Sequence, residues 1–443
     1  MFGDYFGAMP FLLLIVLVFG VAPLVAQIPD TTFLPAERAA ALTGLYVLDD
    51  SRVIHVLDLR DQIGGHAVLS VTEYGSGRMR ALYPVDSVNF EAGNAWFRHD
   101  STEYRLRFDE SVRPAAGLVW EENGRTIGGR RAPLVEREVR IRSGDVTLAG
   151  SLVLPRGPGP HPAVVMVPGS GPLTRRTPRY WGDFLAHHGV AVLVTDKRGT
   201  GGSEGSWNGL GHADWARDVE AELDFLHTQP EIDGSRLGLT GSSEAGFVVP
   251  VVAARRSDVS FIVCRVCSAL PHPEAVLDMQ RNFLTRDGMA DSNVAKALEL
   301  LDRAMRYALE RTGYDSLKAF AAQGDGEPWR AVFTPREIPA RDAGYWDGYR
   351  NLMAVDPREY YDRLTIPVLA ILGERDDRVL VDKHRAVFDS LARAGRDITV
   401  WVIPNASHGL TLSQPGVGQV GYPPGLHDRI ARWVSERARA GAR

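Results

Sequence analysis

Cysteine is nearly absent: the 443 residues hold two, Cys264 and Cys267, both in the apolar run FIVCRVCSA. That excludes a disulfide-stapled scaffold, and a Cys-x-x-C with no further ligands nearby falls short of a zinc site. The run reads as a buried strand, where residues three apart point to opposite faces, so two inert core thiols are expected. Excess charge is also missing. A net charge of -5, a pI near 6.2 and arginine clusters no longer than pairs give no footprint for a nucleic-acid partner. The amino-terminal apolar run, FLLLIVLVFGVA between Pro10 and Pro23, has twelve residues, short of the roughly 20 that cross a bilayer but the length of a signal-peptide core. A cut after Ala26 is expected, with residues 1–26 as signal peptide and a periplasmic or secreted protein that makes no stable membrane insertion. The leader lacks a basic start, Asp4 being its one charge, so the alternative is an uncleaved amino-terminal anchor. No cysteine lies near the cut, which argues against a lipid anchor there.

What is present is ordinary globular material, 44% hydrophobic and 24% charged, long enough for two or three domains. Residues 27–132 read as short alternating strands, such as Tyr104, Leu106 and Phe108 between Arg105 and Arg107, with turn residues at short intervals. A small all-β sandwich or barrel is expected there, with a binding or packing role and no chemical constellation. Residues 133–443 open with a hairpin, EREVRIRSGDVTLAGSLVLP, and then alternate continuous apolar strands with helical stretches. That is the pattern of a mostly parallel sheet with helices on both faces, an α/β fold. Residues 271–360 interrupt it with a helical insertion. Leu298, Leu301, Met305 and Leu309 recur at helical spacing behind a cap at Asp291 or Ser292, and Trp329, Tyr345, Trp346 and Tyr349 follow. An insertion there is placed to roof a pocket, although its aromatic stripe equally suits its own core.

The chemistry centres on LGLTGSSEAG, Leu237 to Gly246, where an apolar strand turns sharply into a helix. Small residues stand two before and two after Ser243, the arrangement that lets a backbone close tightly around an exposed nucleophile. A plain strand-to-helix turn is the bland alternative. Two later strands end in further candidates. IPVLAILG runs into Glu374, Asp376 and Asp377, with Asp376 three residues before Val379, and DITVWVI runs into Asn405-Ala406-Ser407-His408-Gly409. Ser243 as nucleophile, His408 as base and Asp376 as the acid that holds the base make one catalytic set; Asp377 competes for the acid role, and Glu274 is a remote third. The oxyanion is expected to be held by backbone N–H groups of Glu244 and Ser170, the latter in the Pro168-Gly169-Ser170-Gly171-Pro172 loop after the strand AVVMV. Gly199 to Gly205, GTGGSEG, has Glu204 where a dinucleotide fingerprint needs its third glycine. His187 and His188 are adjacent, diverge on a helix, and have no accompanying carboxylate motif. Asn405-Ala406-Ser407 matches a glycosylation acceptor, but a glycan beside His408 would block the site.

In the segments PHPAVVMVPGSGP, TDKRGTGGSEG, LGLTGSSEAG, LTIPVLAILGERDDRV and NASHG the chain resembles the α/β-hydrolase superfamily, and within it bacterial exported esterases related to dienelactone hydrolases and serine aminopeptidases. The resemblance runs from about Glu136 to the end. It implies hydrolysis of small carboxylic esters through an acyl-enzyme, with no cofactor and no metal, and a structural role for the glycine-rich segment after Asp196-Lys197-Arg198. The chain departs from the family at Pro168, usually His, and at Ala245, usually Gly. Short acyl chains are expected because the insertion roofs the site. The alternatives are a serine peptidase or aminopeptidase-like amidase on the same fold, and a non-catalytic binding protein that kept the scaffold.

Overall fold

The computed structural model describes residues 34–60, 68–94, 99–415 and 418–440; the signal-peptide expectation for residues 1–26 lies outside them. After a short helix α1 (Ala36–Leu42), eight antiparallel strands close into a barrel: β1 (Gly44–Leu48), β2 (Val53–Asp58), β3 (Leu69–Glu73), β4 (Met79–Pro84), β5 (Asn89–Ala92), β6 (Tyr104–Asp109), β7 (Gly117–Glu122) and β8 (Arg125–Arg131), which pairs back onto β1. Of the two forms the alternation allows, this is the barrel. Its interior is filled by Tyr46, Ile54, Val56, Val71, Phe90, Leu106, Phe108 and Trp120. It is therefore a packed core rather than a ligand cavity. One end is closed by Arg52 and Arg78, stacked over Trp120 and Tyr104 and paired with Glu73, Glu103 and Glu122.

The second sheet has the order β16-β15-β14-β13-β11-β12-β10-β9. The hairpin β9 (Val135–Ser143) and β10 (Val146–Leu154) is antiparallel and lies at one edge; β11 (His161–Val167), β12 (Ala191–Thr195), β13 (Ile232–Ser242), β14 (Val259–Arg265), β15 (Val368–Gly373) and β16 (Ile398–Ile403) run parallel. These parallel strands are apolar without interruption because helices cover both faces. On one face lie α3 (His212–His227), α4 (Ala245–Arg255) and α10 (Val381–Arg393); on the other, α2 (Arg176–His187) and α11 (Leu426–Ala440). This is an α/β-hydrolase fold preceded by an all-β barrel. A small hairpin, β17 (Leu412–Gln414) with β18 (Gly418–Gly421), precedes α11.

The barrel is not an isolated bead. The outer face of β1 and β2, through Leu45, Val47, Val53 and Leu57, joins the same core as Tyr180, Phe184 and Tyr422. His55 Nε2 lies 3.3 Å from Asp183 Oδ2, and the Tyr74 hydroxyl donates to the Tyr180 carbonyl at 2.6 Å.

The insertion carries α5 (His272–Arg286), α6 (Asp291–Glu310), α7 (Tyr314–Ala322), a 3₁₀ turn at Pro328–Val332, α8 (Tyr345–Met353) and α9 (Pro357–Tyr361). Two local expectations change here. The cap position of α6 is Ala290, with Asp291 inside the first turn, where its charge meets the helix dipole. Leu298, Leu301 and Met305 are buried as the period demands, but Leu309 is 45% exposed, because it sits in the last turn before the chain leaves through left-handed Arg311 (φ 58°). Trp329, Trp346 and Tyr349 form the insertion's own core with Leu301, Met305 and Tyr307.

Candidate active site

Strand β13 delivers Ser243 to the carboxyl edge of the sheet, and α4 begins two residues later. Ser243 sits at φ 57°, the left-handed region that a side chain other than glycine occupies only under strain. Its N–H donates to the Arg265 carbonyl at 3.2 Å, which fastens the turn to the neighbouring strand. A Cβ on Gly241 would stand 2.4 Å from the Cβ of Ala245. The methyl that this chain carries at 245 is thus accommodated by the glycine at 241, and Ala245 itself has no positive φ.

The loops after β15 and β16 bring the other two groups to Ser243. His408 Nε2 lies 3.0 Å from Ser243 Oγ, and His408 Nδ1 lies 2.9 Å from both Oδ1 and Oδ2 of Asp376. A carboxylate only accepts, so Nδ1 carries the proton and Nε2 is left to accept from the serine hydroxyl. Asp376 is buried and held in place by the N–H groups of Arg378 at 2.8 Å and Val379 at 2.9 Å, both donating to Oδ1. Its neighbour faces away: Asp377 Oδ2 accepts from Arg286 of α5 at 2.7 Å. Glu274 stands 3.7 Å from Arg358. Of the three acid candidates, Asp376 is the one on the imidazole.

Among the described residues neither the Ser170 nor the Glu244 N–H has an acceptor within the chain. Both loops flank Ser243. A Cβ on Gly169 would lie 3.1 Å from the Ser242 carbonyl oxygen and 3.8 Å from Ser243 Cβ, so the Pro168-Gly169 pair keeps the backbone close in the absence of a histidine. Lys197 is a neighbour that sequence reasoning missed. It lies behind the loops, 5% exposed, with its ammonium donating to the Gly169 carbonyl at 3.2 Å and to Glu244 Oε2 at 3.0 Å. Burial alone would raise the Glu244 carboxyl; the Lys197 charge, with His212 beside it, outweighs that and lowers it to about 2.

A small cavity of about 20 Å³ lined by Pro168, Lys197, Trp215 and Glu222 lies behind these loops and is lined by none of Ser243, Asp376 and His408. The insertion stands over the same edge of the sheet from two sides. Asn282 of α5 donates to the Asp377 carbonyl at 2.8 Å, and Asn351 of α8 donates to the Gly209 carbonyl at 3.1 Å. Cys264 and Cys267, expected on opposite faces, lie in one core, because Val266 at φ 47° ends the alternation. Their thiols meet the Tyr361 hydroxyl and the Gly241 carbonyl, behind the turn at Ser243.

The family described as X-Pro dipeptidyl-peptidase (S15 family) matches residues 143–409, more than half of the chain and all three of Ser243, Asp376 and His408. Esterase EstD of Thermotoga maritima is 24% identical over 375 residues, covering 82% of this chain and 78% of its own. Dipeptidyl-peptidase 5 of Porphyromonas gingivalis is 21% identical over 51% of this chain and 26% of its own, and the mitochondrial acyl-coenzyme A thioesterase 2 of Mus musculus is 25% identical over 51% of this chain and 48% of its own. The chain thus spans most of the first relative and half or less of the other two. All three are hydrolases of an acyl bond, and the chain, a hydrolase on the α/β-hydrolase fold, belongs to the X-Pro dipeptidyl-peptidase (S15) family.

Proposed function

We propose that the protein is a serine esterase that cleaves small carboxylic esters with short acyl chains. Ser243 attacks the carbonyl, His408 takes the serine proton and returns it to the leaving alkoxide, and Asp376 holds the imidazole and stabilises its charged form. The N–H groups of Ser170 and Glu244 receive the oxyanion, and water admitted to the acyl-enzyme reverses the sequence. The observation that carries this reading is the unbroken relay from Asp376 through His408 to Ser243 Oγ, with hydrogen-bond spacing at each link.

Ester rather than dipeptidyl chemistry is favoured by charge. A site that holds a substrate's free α-ammonium needs a spare carboxylate, and several of those described around this edge are already paired with a cation of the chain: Glu244 with Lys197, Asp377 with Arg286, Glu274 with Arg358 and Asp278 with Lys383. The match to EstD covers more of the chain than the hydrolase domain alone supplies, so an esterase shares part of the barrel as well. The insertion, tied down at Asp377 and Gly209, favours short acyl groups, at a cost of about 1–3 kcal/mol per misfit methylene. The export leader of residues 1–26 belongs to this reading as a proposal too.

The test is an ester panel of roughly two to twelve acyl carbons beside aminoacyl and X-Pro amides, with the Ser243→Ala protein as control. A fluorophosphonate probe should label Ser243 and not Ser242. Labelling that survives Ser243→Ala but is lost in Ser242→Ala would overturn the mechanism. X-Pro amides cleaved faster than any ester would replace the esterase with the peptidase.

A further inference from the structure

We propose that Lys197 is a positioning residue that sets both halves of the oxyanion hole, aiming the Ser170 N–H through the Gly169 carbonyl and anchoring Glu244, whose own N–H is the second donor. The inference rests on the serine-hydrolase reading and adds to it a residue from the glycine-rich segment otherwise assigned a structural role.

The geometry of one peptide carries the first half. The Gly169 carbonyl and the Ser170 N–H belong to the same planar trans unit and point in opposite directions. The carbonyl is drawn inward to the Lys197 ammonium at 3.2 Å. The N–H on the other side of that plane is thereby turned outward, and Gly169 lies directly against Ser242 and Ser243. If the plane flipped, a carbonyl oxygen would take the N–H's place and repel the developing oxyanion.

The second half is on the nucleophile turn. Glu244 follows Ser243, its side chain is buried, and its Oε2 accepts from the same ammonium at 3.0 Å. His212 Nε2 stands 3.7 Å from the other oxygen. One cation thus grips two segments 28 and 47 residues away from it in the chain. It is itself fixed, lying 3.8 Å from the centre of the Trp215 ring, with its backbone N–H on the Leu173 carbonyl at 3.1 Å. Asp196, the residue before it, accepts from the Arg175 N–H at 2.8 Å, so the far end of the oxyanion loop is held by the same turn. Because the ammonium is paired with a carboxylate, its contribution is placement rather than net charge.

A hole that is out of position loses its preference for oxygen over the larger, weaker acceptor sulfur. The experiment therefore compares an ester with its thionoester in the full-length protein. Lys197→Met is expected to lower kcat on the ester by about 10- to 100-fold, less than the roughly 10²- to 10³-fold cost of losing an oxyanion donor outright, because the donors are misplaced and not removed. KM should stay within about threefold, the ester-to-thionoester ratio of kcat/KM should fall by about tenfold, and the pH profile should not move. Lys197→Arg should recover part of both kcat and the ratio. Because Lys197→Met leaves a buried carboxylate unpaired and can unfold the chain, Lys197→Met with Glu244→Gln is the neutral counterpart, measured against Glu244→Gln alone. Ester turnover within threefold of the parent, or equal loss on ester and thionoester, overturns the inference. A wild-type protein that cleaves no ester or amide, or whose activity survives Ser243→Ala, instead overturns the serine-hydrolase reading, and the role of Lys197 falls with it.

Discussion

At the scale of single residues, Asp376 and Asp377 differ by one position and by all of their surroundings. Asp376 places two oxygens on His408 and takes two backbone N–H groups, while Asp377 faces Arg286. Asp376→Asn is expected to lower kcat by about 10²- to 10⁴-fold by spoiling the tautomer, and Asp377→Asn by less than about threefold. Ser243→Ala and His408→Ala should each cost about 10⁴-fold or more, with the double variant little worse than either, since the groups act as a unit. Steady-state kinetics on one ester decides among these, and near-additive losses would argue against a shared step. The set was legible because each member ends an apolar strand and carries a local spacing. Lys197 was not: its neighbours in sequence are Gly-rich, and both of its partners come from distant segments. A lysine two residues after a buried strand was the one available signal.

The elements were legible where burial imposes a pattern and obscure where only pairing decides. Continuous apolar runs marked the parallel strands, since both of their faces are covered, but nothing local dictates that β13 lies between β11 and β14. Alternation in residues 27–132 fits a sandwich and a barrel equally, and the pairing of β1 with β8 makes the choice. The aromatic stripe of the insertion carried no direction, and most of it turned to its own core. The turn at Ser243 makes a prediction at this scale. Gly241→Ala would drive two methyl carbons to 2.4 Å and is expected to destabilise the fold by about 1–3 kcal/mol, with a larger loss of kcat than of stability because Ser243 is displaced. Ala245→Gly removes the opposing methyl, so the double variant should recover at least half of the stability lost by Gly241→Ala. Urea melts and kcat of the four proteins test this; no recovery in the double variant would place the clash elsewhere, against the Val167 carbonyl 3.1 Å away.

For the whole molecule, the barrel and the hydrolase share a core, and that limits how far they can be parted. A chain starting at Pro133 would bare Tyr180, Phe184 and Tyr422 and leave Asp183 without His55. It keeps Ser243, Asp376 and His408, so the soluble fraction should turn over a small ester within about tenfold of the full chain while its melting temperature falls; a well-folded truncation with no turnover would show that the barrel supplies part of the site. Buried titratable groups spread through the hydrolase domain set the stability's response to pH. Burial holds His272 and His427 down to about 3 and His384 down to about 4, whereas burial lifts the Glu222 carboxyl to about 8. The histidines are neutral in the fold, so their contribution is complete above their unfolded value of about 6.5 and is lost as pH falls toward 3. Glu222 is protonated in the fold, so its contribution is complete below its unfolded value of 4.5 and is lost as pH rises through 8. Between about pH 5 and 6 the unfolded chain binds about three extra protons at the histidines and one fewer at Glu222, a net of about two, and stability rises with pH at about 3 kcal/mol per unit. Between about pH 7 and 8 the Glu222 proton dominates, and stability falls at up to about 1 kcal/mol per unit. The maximum is therefore expected just below pH 7. Urea unfolding at pH 5, 7 and 9 should trace the two limbs, and Glu222→Gln, which stays neutral, should flatten the alkaline one while leaving the acid one in place; an alkaline limb unchanged in Glu222→Gln would remove that buried acid as its cause.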